Sequence, residues 1–183
     1  MILIFFGPPG AGKGTQASLI SEKLNLPHLS TGDILRSKLL DTDPLSSKLK
    51  DTIDSGNLVS DEIINEFIKT RFSLSDCKKG FILDGYPRTI KQKDFFQNYL
   101  FDNSLNISKI FDLSVDEKII INRIKFRSNI ENREDDKDEI IKTRISKYLI
   151  ETKPLSDFYR KNYPNNYHVI NGNQEIEMIS KDI

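Results

Sequence analysis

The chain has 183 residues, 30% of them charged, and its 27 Lys plus Arg balance 27 Asp plus Glu. That length suits one domain with a sizeable core, and a formal charge of zero gives no reason to expect a nucleic-acid or membrane surface. Cys77 is the only cysteine, which excludes an intrachain disulfide and a cysteine-based zinc site. The opening MILIFF run is too short for a signal segment and no stretch approaches a membrane span, so a cytoplasmic protein with a reduced thiol is expected.

Ile2 to Phe6 is a continuous apolar run, as in a strand buried on both faces. Gly7-Pro8-Pro9-Gly10-Ala11-Gly12-Lys13-Gly14-Thr15 follows, and a helical pattern continues through Ala17, Leu19, Ile20 and Leu24. A Gly-rich turn between strand and helix is the setting of a P-loop. Its backbone N–H groups turn inward around a phosphate, the helix start adds free donors and a positive dipole end, and Lys13 adds a full charge. The general pattern has Ser or Thr directly after the lysine. Here Gly14 intervenes and the hydroxyl is Thr15, which weakens the case for direct Mg²⁺ ligation by that hydroxyl.

Pro27 to Ser30 reads as a short strand, and Thr31-Gly32-Asp33 opens a helix carrying Ile34, Leu35, Leu39 and Leu40. Residues 45–55 and 61–73 read helical, with Asp54-Ser55-Gly56-Asn57 as the break between them. Phe81 to Leu83 is a buried strand ending at Asp84-Gly85. Residues 89–101 are helical, Lys109 to Val115 a strand and Asp116 to Arg127 a helix. Ser128 to Asp136 is polar and expected to be a loop. Asp138 to Tyr163 is a long helical stretch that Pro154 is expected to kink. Tyr167 to Ile170 is a last strand and Gln174 to Ile183 a last helix. Five strands alternating with helices predict an α/β fold, a parallel sheet covered on both faces. The 30–59 region and the 128–136 loop interrupt the alternation, and both are expected to project over the carboxyl edge of the sheet, where ligands bind.

Lys outnumbers Arg by 19 to 8, so each arginine is informative. Guanidinium groups hold phosphate oxygens two at a time, which Lys cannot do. Arg123 and Arg127 share a helix face, Arg133 follows across the polar stretch, and Arg144 lies one helix further on. An Asp at a strand's carboxyl end beside a P-loop, as Asp84 is, is placed to hold Mg²⁺ or its waters. Arg88, four residues on, is within reach of a transferring phosphoryl group. The histidines, His28 and His168, read as near-surface strand-edge residues with no catalytic role.

Four segments together carry a family resemblance: Gly7 to Gln16, Ser30-Thr31-Gly32-Asp33, Asp84-Gly85-Tyr86-Pro87-Arg88, and Arg133-Glu134-Asp135-Asp136. In order and spacing the chain resembles the adenylate kinases over essentially its whole length, and Gly after the P-loop lysine is that family's form of the motif. The resemblance implies a three-layer P-loop NTPase fold with a core (1–29, 60–126, 137–183), a helical AMP-binding segment (30–59) and a lid of the short type (127–136), without the inserted β-domain that sometimes holds zinc. It implies that Gly10, Ala11, Gly12, Lys13, Gly14 and Thr15 hold ATP phosphates, with Arg123 against the ATP adenine, Arg127 on ATP phosphates and Val169 offering a backbone carbonyl to that adenine. On the AMP side it implies Thr31 at the base, Arg36 and Arg88 on the phosphate, the backbone of Asn57, Leu58 and Val59 lining the adenine pocket, Gly85, Tyr86 and Pro87 in contact, and Gln92 on the base edge. Arg133 and Arg144 would clamp the transfer point, Asp84 would order Mg²⁺ waters, and Asp135 and Asp136 would position the lid.

UMP/CMP kinases share the short-lid architecture but are less similar at two places, where a small residue replaces Thr31 and Asn tends to replace Gln92. A Gln amide donates to one adenine nitrogen and accepts from the amino group, so Thr31 with Gln92 favours AMP. The expected reaction is MgATP + AMP ⇌ 2 ADP, in nucleotide biosynthesis, by a monomer. It needs in-line positioning and cations, and no strong general base. A UMP/CMP kinase, or a non-catalytic ATP-binding switch, is the alternative.

Overall fold

The hydrophobic run at the start of the chain becomes the central strand. In the computed structural model, which describes residues 1–39, 41, 44–131 and 134–183, β1 (Ile2–Phe6) is buried at every position. It lies between β3 (Phe81–Asp84) and β4 (Lys109–Ser114), and the sheet is completed by β2 (His28–Ser30) and β5 (Tyr167–Asn171). The order is β2-β3-β1-β4-β5 and every pairing is parallel. This is the five-stranded α/β sheet read from the sequence.

Alternate β1 residues serve opposite layers. Ile2, Ile4 and Phe6 join a cluster with Phe72, Phe96, Leu155 and Tyr159, whereas Leu3 and Phe5 join Ala17, Ile20, Phe111 and Ile179. The first cluster takes in α4 (Asp61–Phe72), α5 (Ile90–Asp102) and α8 (Lys153–Asn162), and the second α1 (Lys13–Leu24) and α9 (Ile176–Asp182). Helices on both faces explain why the strands read as continuous apolar runs. Between β2 and α4 lie α2 (Thr31–Lys38) and α3 (Pro44–Asp54). Ser30 caps α2, its hydroxyl accepting the Asp33 N–H at 3.3 Å.

Two expectations need correction. The helix expected to end at Arg127 continues as α6 (Glu117–Glu131), and a 3₁₀ turn (Glu134–Asp136) follows, so most of the expected polar loop is helical. No Gly or Pro interrupts 117–131, and polar side chains are tolerated because that end of the helix is solvated, with even Phe126 and Ile130 exposed. The stretch 138–163 is three pieces: α7 (Asp138–Lys147), a π-helical turn (Tyr148–Thr152) and α8. Pro154 therefore falls in the first turn of α8, directly after the π turn that accommodates it within a continuous helical run. The 3₁₀ turn Ser75–Lys79, which buries Cys77, had no counterpart in the sequence reading.

Candidate active site

The topology opens a crevice between β1 and β3. The chain leaves β1 through α1 toward β2, but leaves β3 through α5 toward β4, so the two exits diverge. Phe5 pairs with Asp84 in register, which brings the glycine-rich turn and residues 84–88 out of the sheet side by side.

The P-loop is pressed onto α6. A Cβ at Gly10 (φ +79°) would stand 2.7 Å from Ile124 Cγ1, so no side chain fits there. Gly12 caps α1 in a left-handed conformation and Ala11 is buried beneath the turn. The Lys13 ammonium donates to the carbonyls of Gly7 (2.8 Å) and Pro8 (2.9 Å). Burial at the crevice floor lowers its pKa to about 8; Asp84 opposes the shift, and Arg88, Arg144 and Arg127 add to it. That cluster of cations seeks an anion.

Gly14 has a steric reason that its spacing alone did not disclose. A Cβ there would lie 3.3 Å from Asp84 Oδ2, so a Ser or Thr after Lys13 would crowd the carboxylate. Asp84 is 9% exposed, and no group of three or more His, Cys, Asp or Glu gathers for a metal among the described residues. A single hard oxygen donor at a strand end suits a cation such as Mg²⁺ that keeps its waters and is bound mainly through phosphates. His28, expected to be a bystander, sits on edge strand β2 with its Nε2 3.3 Å from Asp84 Oδ2. His168 is on the opposite edge strand, 2.9 Å from Lys109 Nζ.

One side of the crevice is a cleft lined by Lys13, Thr31, Arg36, Asn57, Leu58, Val59, Gly85, Pro87, Arg88, Gln92 and Arg144, with Leu35, Tyr148 and Thr152 as further walls. Gly85 (φ +74°) makes room for two of these groups, since a Cβ would stand 2.6 Å from an Arg88 guanidinium nitrogen and 2.9 Å from Thr31 Oγ1. The Thr31 hydroxyl donates to the Gly85 carbonyl (2.8 Å), as does Arg88 Nε (2.8 Å). Thr152, in the π turn, donates to the Arg88 carbonyl at 3.1 Å. Burial, followed by the proximity of Arg144, lowers the Arg88 pKa, with Asp84 countering. Arg36 is paired with Asp33. Tyr86 departs from expectation: its ring is fully buried in the core and its hydroxyl donates to Asn65 Oδ1 (2.8 Å), so its side chain does not line the cleft.

The other side of the P-loop is open. Arg123 spans it, donating to the carbonyls of Ala11 (3.4 Å) and Gln174 (3.3 Å). Arg127 forms a bidentate pair with Asp136 at 2.6 Å on both arms. Burial opposes the charge on Arg127, but the Asp136 bonds together with the negative charges of Asp136, Asp135 and Glu131 outweigh it and raise the pKa. Arg144 pairs with both Asp135 and Asp136, the latter 2% exposed. Val169 is exposed on edge strand β5, outside the cleft, and Thr15 is exposed on α1. Arg133 lies outside the described residues.

The segment 30–59 and the 134–144 region meet directly. A Cβ at Gly56 (φ +73°) would stand 2.6 Å from Ile140 Cγ2 and 3.0 Å from Arg144 Cγ. Asp135 and Asp136, expected to position the lid, are the partners of Arg127 and Arg144, whereas the wall residue Thr152 escaped the sequence reading. Pro154, two positions on and expected to disturb the helix, was the available signal for Thr152.

Known proteins converge on this geometry. The family model described as adenylate kinase matches residues 5–163. The chain is 37% identical to an adenylate kinase of Clostridium novyi (strain NT), over 100% of this chain and 96% of that one. It is 40% identical to one from Trichodesmium erythraeum (strain IMS101), over 99% and 94%. It is 41% identical to one from Rhizobium meliloti (strain 1021), over 88% and 87%.

Proposed function

The chain belongs to the adenylate kinase family, an ATP:AMP phosphotransferase by that membership, and from this premise we propose how its residues carry the transfer. The observation that supports the assignment is the convergence of Lys13, Arg36, Arg88 and Arg144 on one cleft beside the P-loop. Four cations around one cleft match the charge of one phosphate attacking another.

AMP occupies the enclosed side. Its phosphate lies on Arg36 and Arg88, and its base lies against Thr31, Gln92 and the backbone of Asn57 to Val59. The Thr31 hydroxyl, having given its proton to Gly85, offers that base an acceptor. ATP lies along the P-loop, its phosphates on the backbone of Gly10 to Thr15 and on Lys13, with Arg123 and Val169 toward the adenine. Arg127, Arg144 and Arg133 close over the transfer point. An AMP phosphate oxygen attacks the terminal phosphorus in line, and the cations hold the charge that spreads over the equatorial oxygens. Mg²⁺ bound with ATP would neutralise phosphate charge, its waters held by Asp84. The residues 30–59 and 127–136 act as covers that exclude water, and the remainder as the frame. The chain works as a cytoplasmic monomer without zinc. Among the described residues no helix is long and apolar enough to cross a membrane.

An acceptor panel tests this reading. With MgATP, AMP is the preferred acceptor over CMP, UMP and GMP, and ADP formation depends on AMP. Equal use of CMP or UMP would replace AMP specificity with the UMP/CMP reading, and slow hydrolysis indifferent to AMP would point to a switch.

A further inference from the structure

Gln92 is 2% exposed, and both ends of its amide are engaged. Its Nε2 donates to Asp61 Oδ1 at 2.8 Å, and its Oε1 accepts the Arg88 backbone N–H at 2.7 Å. The same Asp61 oxygen accepts the Thr89 hydroxyl at 2.8 Å, and Thr89 Oγ1 in turn accepts the Gln92 backbone N–H at 3.2 Å. Asp61 opens α4, Thr89 caps α5, and Gln92 stands in the first turn of α5. The carboxylate is therefore fixed from two directions.

These partners have opposite and unchangeable polarity. A carboxylate only accepts and a backbone N–H only donates. Turning the amide over would set oxygen against the carboxylate and NH₂ against the Arg88 N–H, and both bonds would be lost. The remaining Nε2 hydrogen and Oε1 lone pair then present one fixed donor–acceptor order to the cleft.

We propose that Asp61 is a specificity-positioning residue: it locks the Gln92 amide in the order that accepts an amino-bearing base edge and rejects an oxo-bearing one. Adenine offers an acceptor at N1 and a donor at its 6-amino group, matching that order. The 6-oxo purine of IMP offers N1–H and a carbonyl oxygen, so donor meets donor and acceptor meets acceptor. Cytosine repeats the adenine pattern at N3 and its 4-amino group, so the lock does not discriminate against CMP. The proposal rests on the reading that Gln92 contacts the acceptor base.

The test is the ratio of kcat/KM for AMP to that for IMP, and for AMP to CMP, with MgATP. Asp61→Ala lowers the AMP:IMP ratio about tenfold, the order expected when a polar group no longer meets a fixed mismatch, and leaves AMP:CMP unchanged. Asp61→Asn, whose Oδ1 still accepts, retains the AMP:IMP ratio. In a Gln92→Ala background, Asp61→Ala produces no further change. If melting shows Asp61→Ala unfolded, Asp61→Ser replaces it, since it stops a bond short of the carboxylate oxygens. An unchanged AMP:IMP ratio in the Asp61 variant, parallel loss of both ratios, or additivity with Gln92→Ala overturns the lock. A Gln92→Ala enzyme with wild-type ratios instead removes the base-reading role on which it rests.

Discussion

The acceptor and donor halves of the crevice are built on different plans. On the acceptor side the groups are held by short hydrogen bonds to the frame: Thr31 and Arg88 to the Gly85 carbonyl, Arg88 to Thr152, Gln92 to Asp61. On the donor side the P-loop gives a fixed backbone, but the arginines Arg127 and Arg144 are held by Asp135 and Asp136 in the turn after α6. One half is a preformed mould and the other is a moulded floor beneath cations that carboxylates hold in place. A base and a monophosphate need shape. A triphosphate tail needs charge that arrives when the cover closes.

If this contrast is right, damage at a mould residue that meets the reacting phosphates should be the most severe. Arg88→Ala lowers kcat on the order of 10³-fold, the lower range for losing an arginine that stabilises a transferring phosphoryl group, while the melting temperature stays near wild type. Steady-state kinetics and a thermal melt check both halves of the statement, and near-normal turnover would remove Arg88 from the transfer point.

Removing the anchor on the donor side should cost less in chemistry and more in order. Asp136→Asn takes the buried counter-charge from Arg127 and leaves Arg144 with Asp135 alone, and kcat falls about 10²-fold with a stability loss of about 3 kcal/mol, as for one partner of a buried pair. Kinetics together with urea unfolding test it; an unaltered unfolding midpoint would show that the carboxylate is dispensable to the cover. Where the two halves touch, Gly56→Ala places a methyl group against Ile140 and Arg144, and kcat/KM for AMP falls about tenfold, beyond a left-handed-backbone cost of about 1 kcal/mol. Adding Ile140→Ala restores part of the loss. Failure of that rescue would assign the whole effect to local backbone strain.

The smallest effect concerns Lys13. Its pKa near 8 lies below the ordinary lysine value, so the free enzyme loses this charge as pH rises through about 8. For binding a phosphate the charged form is the competent one. Thus kcat/KM for ATP falls roughly fourfold by pH 8.5, while kcat stays flatter because bound phosphate restores the proton. A profile of kcat/KM that is level to pH 9.5 would contradict the assignment.

What the sequence made legible divides along the same line. The P-loop, the 84–88 turn and the five strands follow from short spacings and apolar runs, which are local signals, whereas the strand order does not. Gln92 was named as a base contact only through the family resemblance, and its partner Asp61, thirty-one positions away, was not visible at all, because a hydrogen bond between two helix starts leaves no periodicity. Likewise the His28–Asp84 contact depends on β2 pairing with β3, and the extension of α6 depends on solvent accepting its apolar side chains. The π turn repairs a proline, and its position depends on packing against Arg88 as much as on Pro154.

The contact at Gly56 has a thermodynamic reach. Segment 30–59 and the α7 arm share surface at Gly56; if the two proposed covers meet only on closing, the free energy of that surface belongs to neither nucleotide alone. Whichever nucleotide binds first leaves the other a partner already in place, and linkage makes the benefit reciprocal: the factor by which ATP tightens AMP equals the factor by which AMP tightens ATP. On that reading a residue with no side chain contributes to the cooperativity between the two substrates, through the close approach it permits.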